Sequence, residues 1–150
     1  MKITIAAVGK LKEEYLKEAV SSISKGIMKH CDFEIIEIPD EKNDELSSPA
    51  AVEAVKNKEG ALLLKKIKPS QYLIALAIDG TPLDTRALGK HIIKCKKNEK
   101  DDIVFVIGGS LGLSNEVLSR ADFKLSFSPM TFPHQLMRII LMEQIYFAIK

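Results

Sequence analysis

The 150-residue sequence contains little that would act as a staple, an export signal or a membrane anchor. Its two cysteines, Cys31 and Cys95, lie far apart and form no CxxC pair. They read as reduced thiols of a cytoplasmic protein, not as a disulfide framework. Cysteine and histidine at metal-ligand spacing are absent, so no metal is expected. The opening apolar run, Ile3 to Val8, is too short for the core of a signal peptide, and no small-residue cleavage site follows it. No stretch approaches the ~18 uncharged apolar residues of a membrane helix. Neither charge dominates: 22 Lys+Arg stand against 20 Asp+Glu, a net +2. A polycation is excluded, and a nucleic-acid partner would have to meet a local basic patch. No internal repeat, low-complexity segment or long polar linker divides the chain.

What is present is a globular composition, 46% hydrophobic and 28% charged. One domain over residues 1–150 is expected, with about two-thirds of the extended chain's surface buried on folding. Strand and helix patterns alternate throughout. Strands are expected at Lys2–Val8, Phe33–Ile38, Leu73–Ile78, Ile103–Ile107 and Phe123–Phe127. Helices are expected at Leu11–His30, Pro49–Ile67, Leu83–Lys97, Ser114–Arg120 and from the end of a Ser128–Phe132 loop to Lys150. Leu11, Tyr15, Leu16, Ala19, Ile23 and Ile27 supply the apolar face of the first helix. Ser48-Pro49 suits an N-cap followed by proline at the first helical position. Asp40–Ser47 is the longest patternless loop, Asp79-Gly80 reads as a turn, and Gly60 as a weak point in its helix. Strands alternating with helices imply an α/β protein with a parallel sheet and helices on both faces. The unbroken runs LIALAI and IVFVI suit central strands covered on both sides.

In open parallel sheets, ligands bind beyond the carboxyl ends of the strands. Three unusual loops leave such ends: Asp79–Pro82, Gly108–Gly112 and Ser128–Phe132. The second, in VFVIGGSLGLS, places glycines between a strand and a helix start, where bare backbone can approach a ligand. It also fits a tight strand-to-helix turn. A dinucleotide site would need G-x-G-x-x-G after the first strand and an acid about 20 residues on; this loop comes late, and Asp122 is only ten residues beyond Gly112. A P-loop lysine is missing too.

The third loop lies in LSFSPMTFPHQLMR, Leu125–Arg138. Ser126, Ser128 and Thr131 set hydroxyls beside an irregular backbone, and Phe127, Met130 and Phe132 offer surface for an aromatic ring. Pro133 suits a first helical turn that Thr131 can cap. The same residues would equally make a stapled helix entry. Arg138 falls one turn beyond His134, so both can face a phosphate or an acidic imide, with His134 a base near neutral pH. A capping histidine and an Arg138–Glu143 pair fit the spacing as well. His30 and His91, in polar helix segments, are expected in water.

Eleven of the 14 residues Leu136–Ile149 are apolar. A helix apolar nearly all round is buried on most sides. A second subunit is therefore expected against its outer face, making a homodimer through the C-terminal helix. Lysines cluster at Lys65, Lys66 and Lys68 and again from Lys90 to Lys100; phosphate binding and ordinary solvation both account for them.

MKITIAAVGKLK, VKNKEG at Val55–Gly60, FVIGGSLGL at Phe105–Leu113 and LSFSPMTFPHQLMR together resemble the ribosomal RNA large subunit methyltransferase H family. These are pseudouridine N3-methyltransferases of the SPOUT class. The resemblance implies a deep trefoil knot near the C-terminus, a homodimer and an S-adenosylmethionine pocket formed by the knot. It implies methyl transfer to N3 of a pseudouridine in 23S rRNA of the assembled ribosome. By matching position, Leu76, Gly108, Phe127, Ser128, Pro129, Met130, Thr131 and Phe132 would contact the cofactor. The imide must lose its proton, which a base or a positive group stabilising the anion would help, and His134 and Arg138 are the candidates. Family members usually continue past the last helix with a short basic tail, and carry Arg where this chain has Phe147; this sequence stops at Lys150. That departure raises a second reading, a non-catalytic ribosome-binding or assembly module on the same fold. A flavodoxin-like nucleotide-binding regulator is a third.

Overall fold

The computed structural model describes residues 1–41 and 48–150. Its middle layer is a parallel sheet of β1 (Lys2–Val8), β2 (Asp32–Ile38), β3 (Tyr72–Pro82), β4 (Asp102–Ile107) and β5 (Phe123–Ser126), in the order β2-β1-β4-β3-β5. The helices are α1 (Glu14–Met28), α2 (Pro49–Lys65), α3 (Thr85–Lys97), α4 (Asn115–Arg120) and α5 (His134–Ile149). Of the loop expected at Asp40–Ser47, residues 42–47 lie outside the described residues.

Successive strand side chains point to opposite faces. Ile3, Ile5 and Ala7 of β1, Ile74 of β3 and Ile103, Phe105 and Ile107 of β4 therefore pack together on one side. They meet Ile27 of α1, Leu88 and Ile92 of α3, and Leu141, Met142 and Ile145 of α5. Ala6, Val8, Leu73, Ala75, Val104 and Val106 project the other way, onto Leu63 of α2 and Val117 of α4. Helices thus cover both faces, and β1, β3 and β4 are apolar on both edges of the pleat because neither face meets water.

Several local expectations are corrected. Gly9, at φ +94°, turns the chain after β1, and α1 begins at Glu14, not Leu11. Tyr15 is exposed rather than inward. Asp79-Gly80 is not a turn ending the third strand. β3 runs on to Pro82, and Leu125 of β5 is the partner of both Leu76 and Thr81 across a bulge. Gly80 allows this close approach, because a Cβ there would lie 2.8 Å from the Lys124 carbonyl. β5 ends at Ser126, one residue short of the expected Phe127. Gly60 is buried, and a Cβ on it would collide with Ser114 Oγ, so it permits α2 to pack on the start of α4 rather than weakening the helix. His91 is half-buried: its ring lies 4.3 Å from that of Phe123 and its Nε2 is 3.2 Å from Tyr72 Oη. Burial, aided by Lys94, pushes the His91 pKa down.

Among the described residues, no helix is long and apolar enough to cross a membrane.

Candidate active site

A cavity of about 600 Å³ opens beyond the carboxyl ends of β3, β4 and β5. That volume suits a small-molecule ligand. One wall is apolar, formed by Leu76 and Ile78 of β3, Leu125 of β5, Phe127 and Met130. The floor is the glycine loop from Gly108 to Leu113, and the far rim is Thr131, Phe132, Pro133, His134 and Met137.

Each segment is held by identifiable contacts. In the glycine loop, Gly109 and Gly112 form an antiparallel bridge, with the Gly112 N–H donating to the Gly109 carbonyl at 3.0 Å. Gly112 sits at φ +90°, where side chains are strained. Gly108 is needed for a different reason: a Cβ there would lie 2.8 Å from the Gly112 carbonyl. Ser114, almost wholly buried, ends the loop by capping α4, its Oγ accepting the Val117 N–H at 3.3 Å. Glu59 braces the loop from outside. Its carboxylate would be 3.3 Å from a Cβ on Gly109, and its Oε2 accepts the Glu41 N–H at 3.0 Å. Burial pushes the Glu59 pKa up; the bond from the Glu41 N–H opposes the rise, and the charges of Asp40 and Glu41 add to it.

The loop after β5 is tied to β3 by Ser126, whose Oγ donates to the Ile78 carbonyl at 2.9 Å. Ser128 Oγ accepts the Met130 N–H at 3.0 Å, tightening the turn. Thr131 does not cap α5. Pro133 occupies the cap position, and no side chain accepts a bond there.

Of the residues expected to touch a cofactor, Leu76, Gly108, Phe127, Ser128, Met130, Thr131 and Phe132 all line this cavity. Pro129 does not. His134 also lines it, while its Nε2 lies near Gly9, 3.6 Å from where a Cβ would stand. Arg138 does not share that position. It is 2% exposed, with Nη1 donating to Glu37 Oε2 at 2.6 Å and Nη2 to the Gly9 carbonyl at 3.2 Å. The alternative pairing with Glu143 is not seen among the described residues of this single chain; the neighbouring ends of β1 and β2 supply the acceptors instead. The Arg138 Nε finds no partner among the described residues.

Sequence reasoning missed Lys56, Asp79, Pro133 and Met137 on the cavity wall. Asp79 and Pro133 lay in or beside motifs already singled out. Lys56 lay inside VKNKEG, which carried a resemblance but no chemical role. Among the described residues, no group of three or more metal-ligating side chains comes together.

The parallel sheet thus carries a strand-end cavity built from a glycine loop and the entry to the last helix. The family model described as "Predicted SPOUT methyltransferase" matches residues 1–150, and the chain belongs to that family. It is an enzyme, a methyltransferase. At the level of individual relatives, it is 49% identical over 150 residues to the ribosomal RNA large subunit methyltransferase H 1 of Clostridium perfringens, covering all of this chain and 94% of that one. It is 52% identical over 148 residues to the ribosomal RNA large subunit methyltransferase H of Clostridioides difficile, covering 99% and 93%. The crystal structure of a probable methyltransferase from Bordetella pertussis superposes with a TM-score of 0.58 at 16% identity, over 99% of this chain and 94% of that one, and so shares the fold.

Proposed function

We propose that this protein binds S-adenosylmethionine in the strand-end cavity and methylates N3 of a pseudouridine in 23S rRNA of the assembled ribosome. It would do so as a cytoplasmic homodimer with a trefoil knot around the site. The observation that carries the reading is the convergence of Leu76, Gly108, Phe127, Ser128, Met130, Thr131 and Phe132, from three separate segments, on one cavity. The names of the relatives at about half identity support the RNA substrate.

The residues fit the donor. The apolar wall suits an adenine ring, and the glycine loop brings backbone close enough to hold polar ligand atoms. The donor supplies a methyl group already activated by its sulfonium, so alignment is the main task left to the protein. An imide N3 must lose its proton before attack. His134, which lines the cavity, would accept it. Arg138 supports that turn of helix from behind, as the buried partner of Glu37.

The dimer reading rests on α5. Leu136 and Phe147 are exposed, and Ile139 and Ile140 are only half-buried, so an apolar strip stays uncovered in one copy. Light scattering at micromolar concentration should give about twice 16.7 kDa; a mass near the single-chain value would remove the dimer from the proposal.

The decisive assay is labelled methyl transfer from S-adenosylmethionine to 70S ribosomes lacking the modification, beside calorimetric titration with S-adenosylhomocysteine. Incorporation at one pseudouridine and saturable binding are expected. Absence of binding would overturn the cavity assignment, and binding without incorporation would overturn the assigned reaction.

A further inference from the structure

Lys56 is the one lysine or arginine on the cavity wall among the described residues, and its side chain is only 19% exposed. It projects from α2 one turn before Gly60, the residue that lets this helix press against Ser114 at the end of the glycine loop. Lys56 thus reaches the cavity from α2, a different element from the β3 strand and the segment after β5 that supply the apolar wall of Leu76, Ile78 and Phe127. Among the described residues its one ion-pair partner is Glu53, at 3.2 Å, an i,i+3 contact whose side chain is 47% exposed. Such a pair is weak and easily exchanged. A largely buried cation held by so loose a partner favours an anionic oxygen group entering the cavity.

We propose that Lys56 binds the carboxylate of the methyl donor's amino-acid end and so selects S-adenosyl amino acids over truncated adenosine thioethers. The inference rests on the reading that this cavity takes the donor. The make-up of the wall supports it, with an apolar surface suited to adenine and, among the described residues, a single lysine or arginine, contributed by a separate element. The same ammonium would also suit a phosphate of the RNA, so the test separates the two sources.

Calorimetry on the protein compares S-adenosylhomocysteine with 5′-methylthioadenosine, which keeps the adenosine and sulfur but has no carboxylate. In the parent protein the homocysteine ligand should bind more tightly. Lys56→Met should lose about tenfold in affinity for it, as expected for one charge-assisted hydrogen bond, and less than twofold for the thioether. Lys56→Arg, which keeps the charge, should restore most of the loss. Equal weakening of both ligands, or no change in either, would overturn the assignment. Unchanged ligand affinities with a raised ribosome KM would give the ammonium to an RNA phosphate instead. If the parent binds neither ligand, the cavity reading itself fails. Thermal unfolding of both variants checks that α2 remains folded.

Discussion

Glu37→Ala should destabilise the fold by about 3 kcal/mol, and by more than Arg138→Met, although the two residues share one ion pair. The asymmetry follows from burial. Arg138 is 2% exposed, whereas the Glu37 side chain keeps 36% of its surface in water. Removing Glu37 leaves a guanidinium in the interior with, among the described residues, only the Gly9 carbonyl to compensate it. Breaking a buried pair in this way costs about 3–5 kcal/mol, and the low end applies because water can enter where the Glu37 carboxylate was. Removing Arg138 strands a carboxylate that water can already reach, along with one backbone carbonyl, so about 1–2 kcal/mol is expected. For a chain of this length, 3 kcal/mol corresponds to roughly 6–12 °C in Tm. Urea unfolding of both variants settles the order. If Arg138→Met proves the more damaging, the arginine contributes through packing or through a contact other than Glu37.

The same pair shows where sequence reading stops. The i,i+4 spacing of His134 and Arg138 correctly places them on neighbouring turns of one helix. It cannot say that Glu37, 101 residues earlier, ends a strand beside them. The cation expected to face a substrate is therefore spent inside the protein. Lys56 went unnoticed for the same reason: its helix is distant in sequence from the loops it meets. The β3 bulge is another non-local feature, because Asp79-Gly80 has the local chemistry of a turn, and only the approach of β5 extends the strand through it. By contrast, the buried strands were legible because coverage on both faces demands unbroken apolar runs. So was the start of α2, where Ser48 Oγ accepts the Ala51 N–H at 3.1 Å and Pro49 follows. The loops at the strand ends were legible because glycine and proline act through their own backbone. What those loops enclose needed the fold.

Gly108→Val should abolish detectable binding of S-adenosylhomocysteine, a loss of at least 100-fold, or about 2.7 kcal/mol. The reason is space, not backbone strain. Gly108 is absent from the positive-φ glycines, but its Cβ would stand 2.8 Å from the Gly112 carbonyl and 3.0 Å from Leu113 Cδ2. Backbone lies on the first of these sides, so it cannot yield as a flexible side chain would. Valine adds two further methyl groups, and either the bridge between Gly109 and Gly112 opens or the methyls enter the cavity. Both outcomes destroy the floor on which the donor would lie. Gly112→Ala provides the contrast. Its φ of +90° makes any side chain strained, yet a Cβ there meets nothing within 4 Å. It should cost about 1–2 kcal/mol of stability, and, because a methyl there displaces no protein atom and leaves the bridge closed, it should weaken ligand binding far less than Gly108→Val. Gly108 and Gly112, four residues apart in the same loop, should thus separate, Gly108→Val acting chiefly on binding and Gly112→Ala chiefly on folding. Retained affinity in Gly108→Val, with circular dichroism unchanged, would place the donor somewhere other than the glycine loop.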